Sequence, residues 1–452
     1  MSTLDINNYS NHRPMTMIYQ NLDIVSEGTA DRTAAVLIGS RGTLTYNKPS
    51  ASTDAEKEKQ RVEENPALFD SSGNIKKQEL ILIRSTSDVY KYLCNSNTSV
   101  AITSNDLAKA ALFALTANGG DPFYCIPTDT YTYIEESDAA PKTESWDSAI
   151  KVLKNNDRTM FVCPITDDTN DIAKVIQACV ECSKPDTQKW KRCYVGVESN
   201  SESNPPVDAD SIESWINTIK IDNATLSYEA KQRTCFVWAP EAKCATTSED
   251  GQIKEETISN TKIAAGITAL RASILPQQGL SRRTLPWIYK VPGAYASYDE
   301  DALNKIAVNG VFIVTQDDPD SEVYIRHQLT NDLSRGILYY EDSVGVNVDT
   351  ICYGLKDIVK GYVGQRNNTN ETLLEIKNRV ADYLLSLTST GVSIDARRIG
   401  PQITQVDLDS LIVKLDDNFK DRVLISVDIV VPVPLNQIRV HLNAFVSMAN
   451  VN

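Results

Sequence analysis

The C-terminal end of the chain carries the pattern that most constrains its fold. Two segments, 423–431 and 437–446, alternate apolar with polar residues, and Pro432 and Pro434 lie between them. In the second segment one face holds Ile438, Val440, Leu442, Ala444 and Val446, and the other holds Gln437, Arg439, His441 and Asn443, with Phe445 as the exception. A strand this regular leaves an unpaired sheet edge in a lone subunit. We therefore predict that it completes a sheet, which can belong to another molecule.

The composition indicates an acidic multidomain protein. The chain has 452 residues, 41% of them hydrophobic, which is enough for roughly two to four domains. Its 60 acidic and 45 basic residues give a net charge of −15, which argues against nucleic acid as a partner. No apolar run approaches the ~18–20 residues of a membrane span, so we predict no membrane contact. An odd number of cysteines, nine, fits reduced thiols.

The first half of the chain predicts alternating strands and helices. A short buried strand at 34–39 is followed by a polar stretch, 47–79, which we interpret as a solvated surface insertion. Further strands are predicted at 80–83, 123–126, 160–163, 193–197 and 234–238, and helices at 105–117, 145–154, 170–182 and 211–219. This alternation predicts a largely parallel sheet covered on both faces. A loop at 246–260 and a helix at 261–272 follow.

The C-terminal third predicts a mixed arrangement. A helix at 300–306 precedes an alternating strand at 322–330, and two amphipathic helices follow at 348–363 and 372–387. The second of these helices has either a capping box from Thr372 to Glu375 or a cap at Asn370. Gly391 then ends it.

Together these patterns predict an α/β and α+β multidomain fold. We divide the chain into an N-terminal arm (1–20), an N-terminal α/β part that carries the insertion (21–130), a middle α/β domain (131–290), a C-terminal domain of mixed sheet and helices (291–432) and a C-terminal strand arm (433–452).

Reactive side chains do not converge in the sequence. His12, His327 and His441 lie far apart, and no His-Glu-x-x-His, Gly-x-Ser-x-Gly or Walker-type motif occurs. Cys179 and Cys182 fall at the end of a predicted helix, where the dipole works against a reactive thiolate, so we interpret them as structural. The acids at 167–171 fit a helix start better than a calcium loop. We predict no catalytic residue, no cofactor and no metal, and hence no enzyme.

Several segments resemble the contractile phage tail sheath proteins. Ala34-Ala35-Val36-Leu37-Ile38-Gly39 with Arg41-Gly42 is similar to the opening strand and turn of that family, although Thr43 replaces the usual proline. The most specific local match is the helix 108–117 with the turn Asn118-Gly119-Gly120 and the strand Phe123-Tyr124-Cys125-Ile126. The run Val431-Pro432-Val433-Pro434-Leu435-Asn436-Gln437-Ile438 is similar to the family's strand, proline turn and strand.

The resemblance implies a structural role in which subunits stack as hexameric rings around a tail tube. The sheath also meets baseplate and tail terminator proteins, and its contraction drives the tube through the host envelope for genome delivery. Neighbouring subunits exchange terminal strands, for which the implied residues are Met15, Met17, Tyr19, Ile438, Val440, Leu442, Ala444 and Val446. A C-terminal helix faces the tube with Glu371, Glu375, Lys377 and Arg379. The implied location is the virion tail, after assembly in the host bacterial cytoplasm.

Two alternatives stay open. The first is a sheath of a phage-like contractile injection or secretion system, which would assemble and contract by the same physical mechanism. Secretion-system sheaths usually divide the fold between two polypeptides, which favours the phage-type interpretation for this chain. An α/β enzyme of unknown class is the second alternative, and a small oligomer that binds a small-molecule ligand would support it.

Overall fold

The structure is a computed structural model that describes residues 34–42, 44, 46–95, 105–131, 142–198, 207–247, 253–389, 393–394, 397–398, 400–419 and 421–435. Within these ranges a large sheet with helices on both faces is followed by a C-terminal unit of helices and strands. The predicted α/β and α+β character of the chain is confirmed.

The strands are numbered in chain order. They are β1 (Ala34–Gly39), β2 (Ile81–Ile83), β3 (Phe123–Pro127), β4 (Asp129–Tyr131), β5 (Lys142–Glu144), β6 (Thr159–Ile165), β7 (Arg192–Gly196), β8 (Lys220–Ile221), β9 (Ala224–Thr225), β10 (Thr234–Trp238), β11 (Lys243–Thr247), β12 (Ile253–Thr257), β13 (Val311–Thr315), β14 (Tyr324–Ile325), β15 (Ser393–Ile394), β16 (Arg397–Arg398), β17 (Gln405–Leu415) and β18 (Val423–Val430).

The helices are numbered in the same way. They are α1 (Asp54–Glu64), α2 (Thr86–Asp88), α3 (Asp106–Ala117), α4 (Trp146–Asn155), α5 (Thr169–Cys182), α6 (Ala209–Thr218), α7 (Tyr228–Lys231), α8 (Asn260–Ala272), α9 (Pro292–Ala296), α10 (Glu300–Ala307), α11 (Ile337–Tyr340), α12 (Asp342–Lys360) and α13 (Asn370–Ser386). A π-helical turn, Val89–Leu93, follows α2.

The main sheet has eight strands in the order β14-β13-β10-β7-β6-β1-β3-β2. The six strands from β13 to β3 are parallel, as the alternation of strands and helices predicts. The two outermost strands, β14 and β2, are antiparallel to their neighbours. Each therefore closes one side of the parallel array with a short strand, which leaves little edge for further pairing.

Successive residues of the parallel strands point into two separate cores. In β1, Ala35 and Leu37 face the core that contains α3 and α8, whereas Val36 and Ile38 face the core that contains α4, α5 and α6. All four side chains are fully buried. A strand that is covered on both faces has a continuous run of apolar residues in its sequence. For this reason β1 could be recognised in the sequence.

The C-terminal unit extends the first of these two cores. Apolar side chains of α12, α13, β17 and β18 join the cluster that α3 and α8 form on the sheet, among them Ile351, Val380, Leu411 and Val427. The unit therefore shares one continuous apolar core with the sheet.

Strands from three of the predicted units join the one sheet. β1, β2 and β3 come from 21–130, β6, β7 and β10 from 131–290, and β13 and β14 from 291–432. The division of the chain into units stays a prediction. The main sheet is continuous across these three units.

Several local predictions need correction. The predicted loop at 246–260 contains most of an antiparallel hairpin, β11 with β12, because polar strands show no apolar period. The predicted strand at 322–330 is only two residues long, β14. The first C-terminal helix begins at Asp342, ahead of the predicted 348. In α13 the cap is Thr369, whose side chain accepts from the Thr372 N–H, so neither Thr372 nor Asn370 is the cap.

The predicted insertion 47–79 is partly packed. Its helix α1 has no buried residue, in keeping with a solvated surface. However, Tyr46, Leu68 and Phe69 belong to a small separate core, and the Arg61 guanidinium lies 5.0 Å from the centroid of the Phe69 ring. The segment is therefore an ordered outgrowth of the sheet.

Candidate functional site

The feature that is least complete within one subunit is the antiparallel pair β17 and β18, here called the C-terminal ribbon. Among the residues that the structure describes, each of these strands pairs only with the other. Their register runs from Gln405 opposite Val430 to Leu415 opposite Val423. The outer edge of each strand therefore carries backbone donors and acceptors that another strand can use.

The ladder of the ribbon is interrupted by a bulge in β17. Asp407 lies opposite Asp428, but the next paired residue of β17 is Ile412, opposite Ser426. The Asp407 carboxylate accepts the backbone N–H of Asp409, and the Ser410 hydroxyl accepts that of Asp428 at 2.7 Å. Side chains thus hold the bulge in place of ladder bonds.

The inner face of the ribbon is packed against α13. Leu411 and Val427 are buried there with Ile403, and they share the apolar cluster of Val380 and Leu384. This face belongs to the interior of the subunit.

The outer face of the ribbon exposes large apolar side chains. Ile412 is 52% exposed and Val430 is 53% exposed. Leu408, within the bulge, is 41% exposed. Apolar groups grouped beside two open strand edges are typical of an interaction surface.

The four residues of α13 that are implied to face the tube differ in their exposure. Glu371, Lys377 and Arg379 are exposed. Glu375 is half-buried, and its carboxylate accepts the Tyr362 hydroxyl at 2.8 Å. Burial, reinforced by this carboxylate, raises the pKa of Tyr362. Three of the four residues are therefore available to a partner, while Glu375 also helps to hold α13 against the end of α12.

Two leucines of α13 are exposed that the sequence pattern did not single out. Leu374 is 58% exposed and Leu385 is 44% exposed. They lie outside the buried stripe of Ile376, Val380 and Leu384. The exposed side of α13 is thus partly apolar.

A buried ionic network fastens α12 to the sheet. The Arg192 side chain, in β7, donates to Asp349 at 2.9 Å and to Asp342 at 3.0 Å. Arg233, just before β10, donates to both oxygens of Asp349 at 3.0 and 3.1 Å. Tyr194 donates its hydroxyl hydrogen to Asp342 at 2.6 Å. Charges that are paired and hydrogen-bonded in this way can remain in a protein interior.

The network sets the ionisation of Asp342. Burial alone would raise its pKa, but the guanidinium groups of Arg192 and Arg271 and the hydrogen bonds from Tyr194 and Gln328 hold the pKa of this carboxyl below its ordinary value of 3.8. The carboxylate is therefore the stable form inside the protein. Sequence analysis missed the network because Arg192 and Asp349 are 157 positions apart.

The residues that were considered for chemistry, and Arg41 of the turn that resembles the sheath family, have structural surroundings. Cys179 and Cys182 are buried, and burial raises the pKa of the Cys182 thiol to about 11. Arg41, after β1, forms an ion pair with Asp129 at 3.2 Å. Asp168 caps α5 by accepting from the Asn170 N–H at 2.8 Å, as the acids at this helix start predicted. His327 is half-buried, and burial lowers its pKa.

Neither a metal-binding cluster nor a membrane-crossing helix is found in the described part of the chain. No group of three or more histidine, cysteine, aspartate or glutamate side chains is placed there to hold a metal ion. Likewise, none of the described helices has both the length and the apolar character that crossing a membrane requires.

The predicted arm residues cannot be placed. Met15, Met17 and Tyr19 lie outside the described residues, as do His12, His441, Ile438, Val440, Leu442, Ala444 and Val446. Their role in strand exchange stays a prediction. The described residues end at Leu435, shortly after β18.

The fold has known counterparts, although no protein-family model matches the chain and no curated protein matches it by sequence. A sheath tail protein from Listeria innocua is 12% identical, with a TM-score of 0.53 over 90% of this chain and 93% of that chain. A chain of the sixfold-symmetrised baseplate of the anti-feeding prophage is 12% identical, with a TM-score of 0.57 over 95% and 98%.

The contracted helical sheath of the anti-feeding prophage is a further counterpart. It is 11% identical, with a TM-score of 0.54 over 94% of this chain and 98% of that chain. These similarities cover 90–95% of this chain and 93–98% of the similar chains. The protein therefore has the fold of the contractile sheath proteins.

Proposed function

We propose that the protein is the structural subunit of a contractile tail sheath. The observation that carries the proposal is the similarity, over nearly the full length of both chains, to a sheath in its contracted state. The open ribbon supports it, because a subunit of a polymer needs a surface that only its neighbours complete. The proposal assigns the protein no catalytic role and no cofactor.

The assembly that we propose is a stack of hexameric rings around a tail tube. Its sixfold order is supported by the similarity to a chain of a baseplate solved with sixfold symmetry. Terminal strands of neighbouring subunits would pair with the free edges of the ribbon, by main-chain hydrogen bonds and alternating side-chain contacts. Baseplate and tail terminator proteins would meet the two ends of the stack.

The energy for contraction would reside in subunit packing. In the proposal, the change from a long to a short sheath drives the tube through the host envelope and delivers the genome. Subunits would assemble in the cytoplasm of the host bacterium and remain in the virion tail.

Electron microscopy tests the proposal. Purified full-length protein should form hollow, ring-stacked polymers in negative stain. Deletion of 436–452 should leave a folded subunit, with an unchanged thermal unfolding midpoint, that no longer polymerises. Polymers of normal length from the deleted protein would contradict the role of the C-terminal strand.

A matched pair of point variants sharpens this test. Leu442→Asp places a charge on the apolar face of the alternating strand, and Asn443→Asp places the same charge on its polar face. Only Leu442→Asp should prevent polymerisation. Equal behaviour of the two variants would exclude a strand with one buried face.

The tube-facing surface is proposed to be the exposed side of α13. Lys377→Glu with Arg379→Glu should weaken co-sedimentation with the tube and leave sheath polymers intact, and added salt should weaken the wild-type contact. Lys57→Glu with Lys59→Glu makes the same charge change on the solvated helix α1. Co-sedimentation of the α13 variant at the wild-type level would reject the placement.

A phage-like injection system is the second candidate, because the anti-feeding prophage provides two of the similar structures. Particles isolated from the producing cells distinguish the two. A DNA-filled head on the sheathed tail identifies a phage, and a headless sheathed particle identifies an injection system.

A further inference from the structure

The last described residues of the chain follow a defined path over the protein surface. After β18 ends at Val430, the side chain of Val431 packs against the first core. Pro432 and Pro434 have fixed φ angles and no backbone N–H, so they stiffen the path and cannot donate ladder hydrogen bonds to the ribbon. Val433 and Leu435 are exposed, whereas Pro434 is half-buried.

Pro434 lies against Gly279, in the connection between α8 and α9. A Cβ atom added at Gly279 would lie 3.2 Å from both Cβ and Cγ of Pro434. Apart from the chain neighbours of Gly279, no other described residue comes within 4 Å of that position. Gly279 does not have a positive φ angle. Its lack of a side chain therefore serves this one contact and not a backbone requirement.

The loop around Gly279 is fastened on both sides. On one side the buried Arg271 guanidinium donates to the Gln278 carbonyl oxygen at 2.7 Å, and also to those of Leu275 and Pro276. On the other side the backbone N–H of Leu280, a fully buried residue, donates to the Gln328 side chain. The loop cannot move aside without breaking these bonds, so added volume at position 279 acts on Pro434.

The same loop also contacts the start of the ribbon. The Gln277 side-chain amide donates to the carbonyl oxygen of Gly400 at 3.0 Å. Asn347, from α12, donates to the carbonyl oxygen of Gln402 at 2.7 Å. The chain is therefore held to the body of the subunit both where it enters the ribbon and where it leaves.

We propose that the contact of Pro434 with Gly279 fixes the point and direction at which the C-terminal arm leaves the subunit. The loop 275–280 acts as a positioning element for assembly. The part that concerns assembly rests on the proposed sheath function. The part that concerns the exit point does not.

A cross-link in the isolated subunit tests the exit point. In the double variant Gly279→Cys with Pro434→Cys, diamide should oxidise the two thiols to one disulfide, with their two hydrogens passing to diamide. The 3.2 Å between a Cβ at position 279 and that of Pro434 is close to the ~3.5–4.5 Å between Cβ atoms that a disulfide needs. The nine native cysteines are free, and all but Cys244 are buried. Mass spectrometry after thiol alkylation then counts the linked pairs.

A matched variant controls for non-specific oxidation. A Cβ at Gly361, like one at Gly279, fits without positive φ. Apart from its chain neighbours and the adjoining helix backbone, however, no described atom lies within 4 Å of it. Gly361→Cys with Pro434→Cys should therefore stay reduced. Failure of the 279–434 pair to link, or equal linking of the control pair, overturns the proposal, whether or not the protein polymerises.

Assembly of the linked protein tests the second part. The linked subunit should polymerise as well as its reduced form, because the contact is retained in the polymer. Gly279→Val should raise the critical concentration for polymerisation by roughly tenfold or more, and Gly361→Val should not. Loss of assembly on linking, or normal assembly of a folded Gly279→Val protein, contradicts the positioning role. If the Gly279→Val protein fails to fold, polymerisation of the linked subunit alone tests the positioning role.

Discussion

The main sheet and the C-terminal ribbon use their strands in opposite ways. The parallel strands of the sheet are buried on both faces, and short antiparallel strands close its two sides. The ribbon is buried on one face only, and both of its outer edges lack a strand partner within the described chain. The sheet is thus completed by intramolecular contacts. The ribbon is stabilised from one side and leaves its other side and its edges for intermolecular contacts.

This difference indicates that stability and assembly depend on different residues. Substitutions in the sheet or at its junction with α12 should change the free energy of unfolding. Substitutions on the outer face of the ribbon should change polymerisation and leave the isolated subunit nearly as stable as before. Three measurements test whether the two regions differ in this way.

The largest effect is expected at the junction of the sheet with α12. Asp349→Ala leaves the buried guanidinium groups of Arg192 and Arg233 without their shared carboxylate. An uncompensated buried charge of this kind costs about 3–5 kcal/mol, which urea unfolding at low protein concentration measures. Glu63→Ala removes a carboxylate from an exposed pair with Lys59, so its cost should stay below about 0.5 kcal/mol. Similar costs for both variants would show that the network does not hold α12.

An intermediate effect is expected from acid. Because the folded-state pKa of Asp342 is held below 3.8, the unfolded chain binds more protons between the folded and the ordinary pKa. The stabilisation from this carboxylate is therefore complete above the ordinary pKa and is lost as the pH falls through the folded one. Unfolding free energies measured from pH 7 to pH 3 should fall at the acid end, and less steeply in Asp342→Asn. Parallel curves for the two proteins would refute this role.

The smallest effect on stability is expected on the ribbon, where one change can be made on either face. Val427→Thr places a hydroxyl in the buried inner face, where Val427 is 5% exposed, and should cost about 1–3 kcal/mol. Ile412→Thr on the outer face should cost less than about 0.5 kcal/mol but weaken polymerisation. Calorimetry of the subunit and sedimentation of the polymer separate the two results. Destabilisation of the subunit by Ile412→Thr would remove the distinction between the faces.

The sequence predicted what depends on neighbouring residues. Strand β10 was predicted at 234–238 and is found there, since five apolar or small residues in a row are typical of a buried parallel strand. The Asn118-Gly119-Gly120 turn was also recognisable. Both glycines have positive φ angles, +72° and +90°, and the Asn118 side chain accepts the Gly120 N–H at 3.0 Å.

What the sequence did not predict depends on distant or irregular contacts. Strand β17 was not predicted, because Asp407, Asp409 and Ser410 interrupt its apolar period at the bulge. The hairpin of β11 and β12 is polar and resembles a loop in sequence. The partners of Asp342 and Asp349 lie in other elements of the fold, so no local sequence pattern indicates them. The contact of Gly279 with Pro434 was not predicted either, because the two residues lie far apart in the sequence.

The bulge in β17 also bears on aggregation. An open strand edge can template an unlimited stack of strands when its hydrogen-bonding groups form a continuous row. In β17 the residues between Asp407 and Ile412 depart from the regular ladder, so this edge does not offer such a row along its length. A crowded solution of unassembled subunits can thus retain a receptive edge without growing into cross-β fibrils.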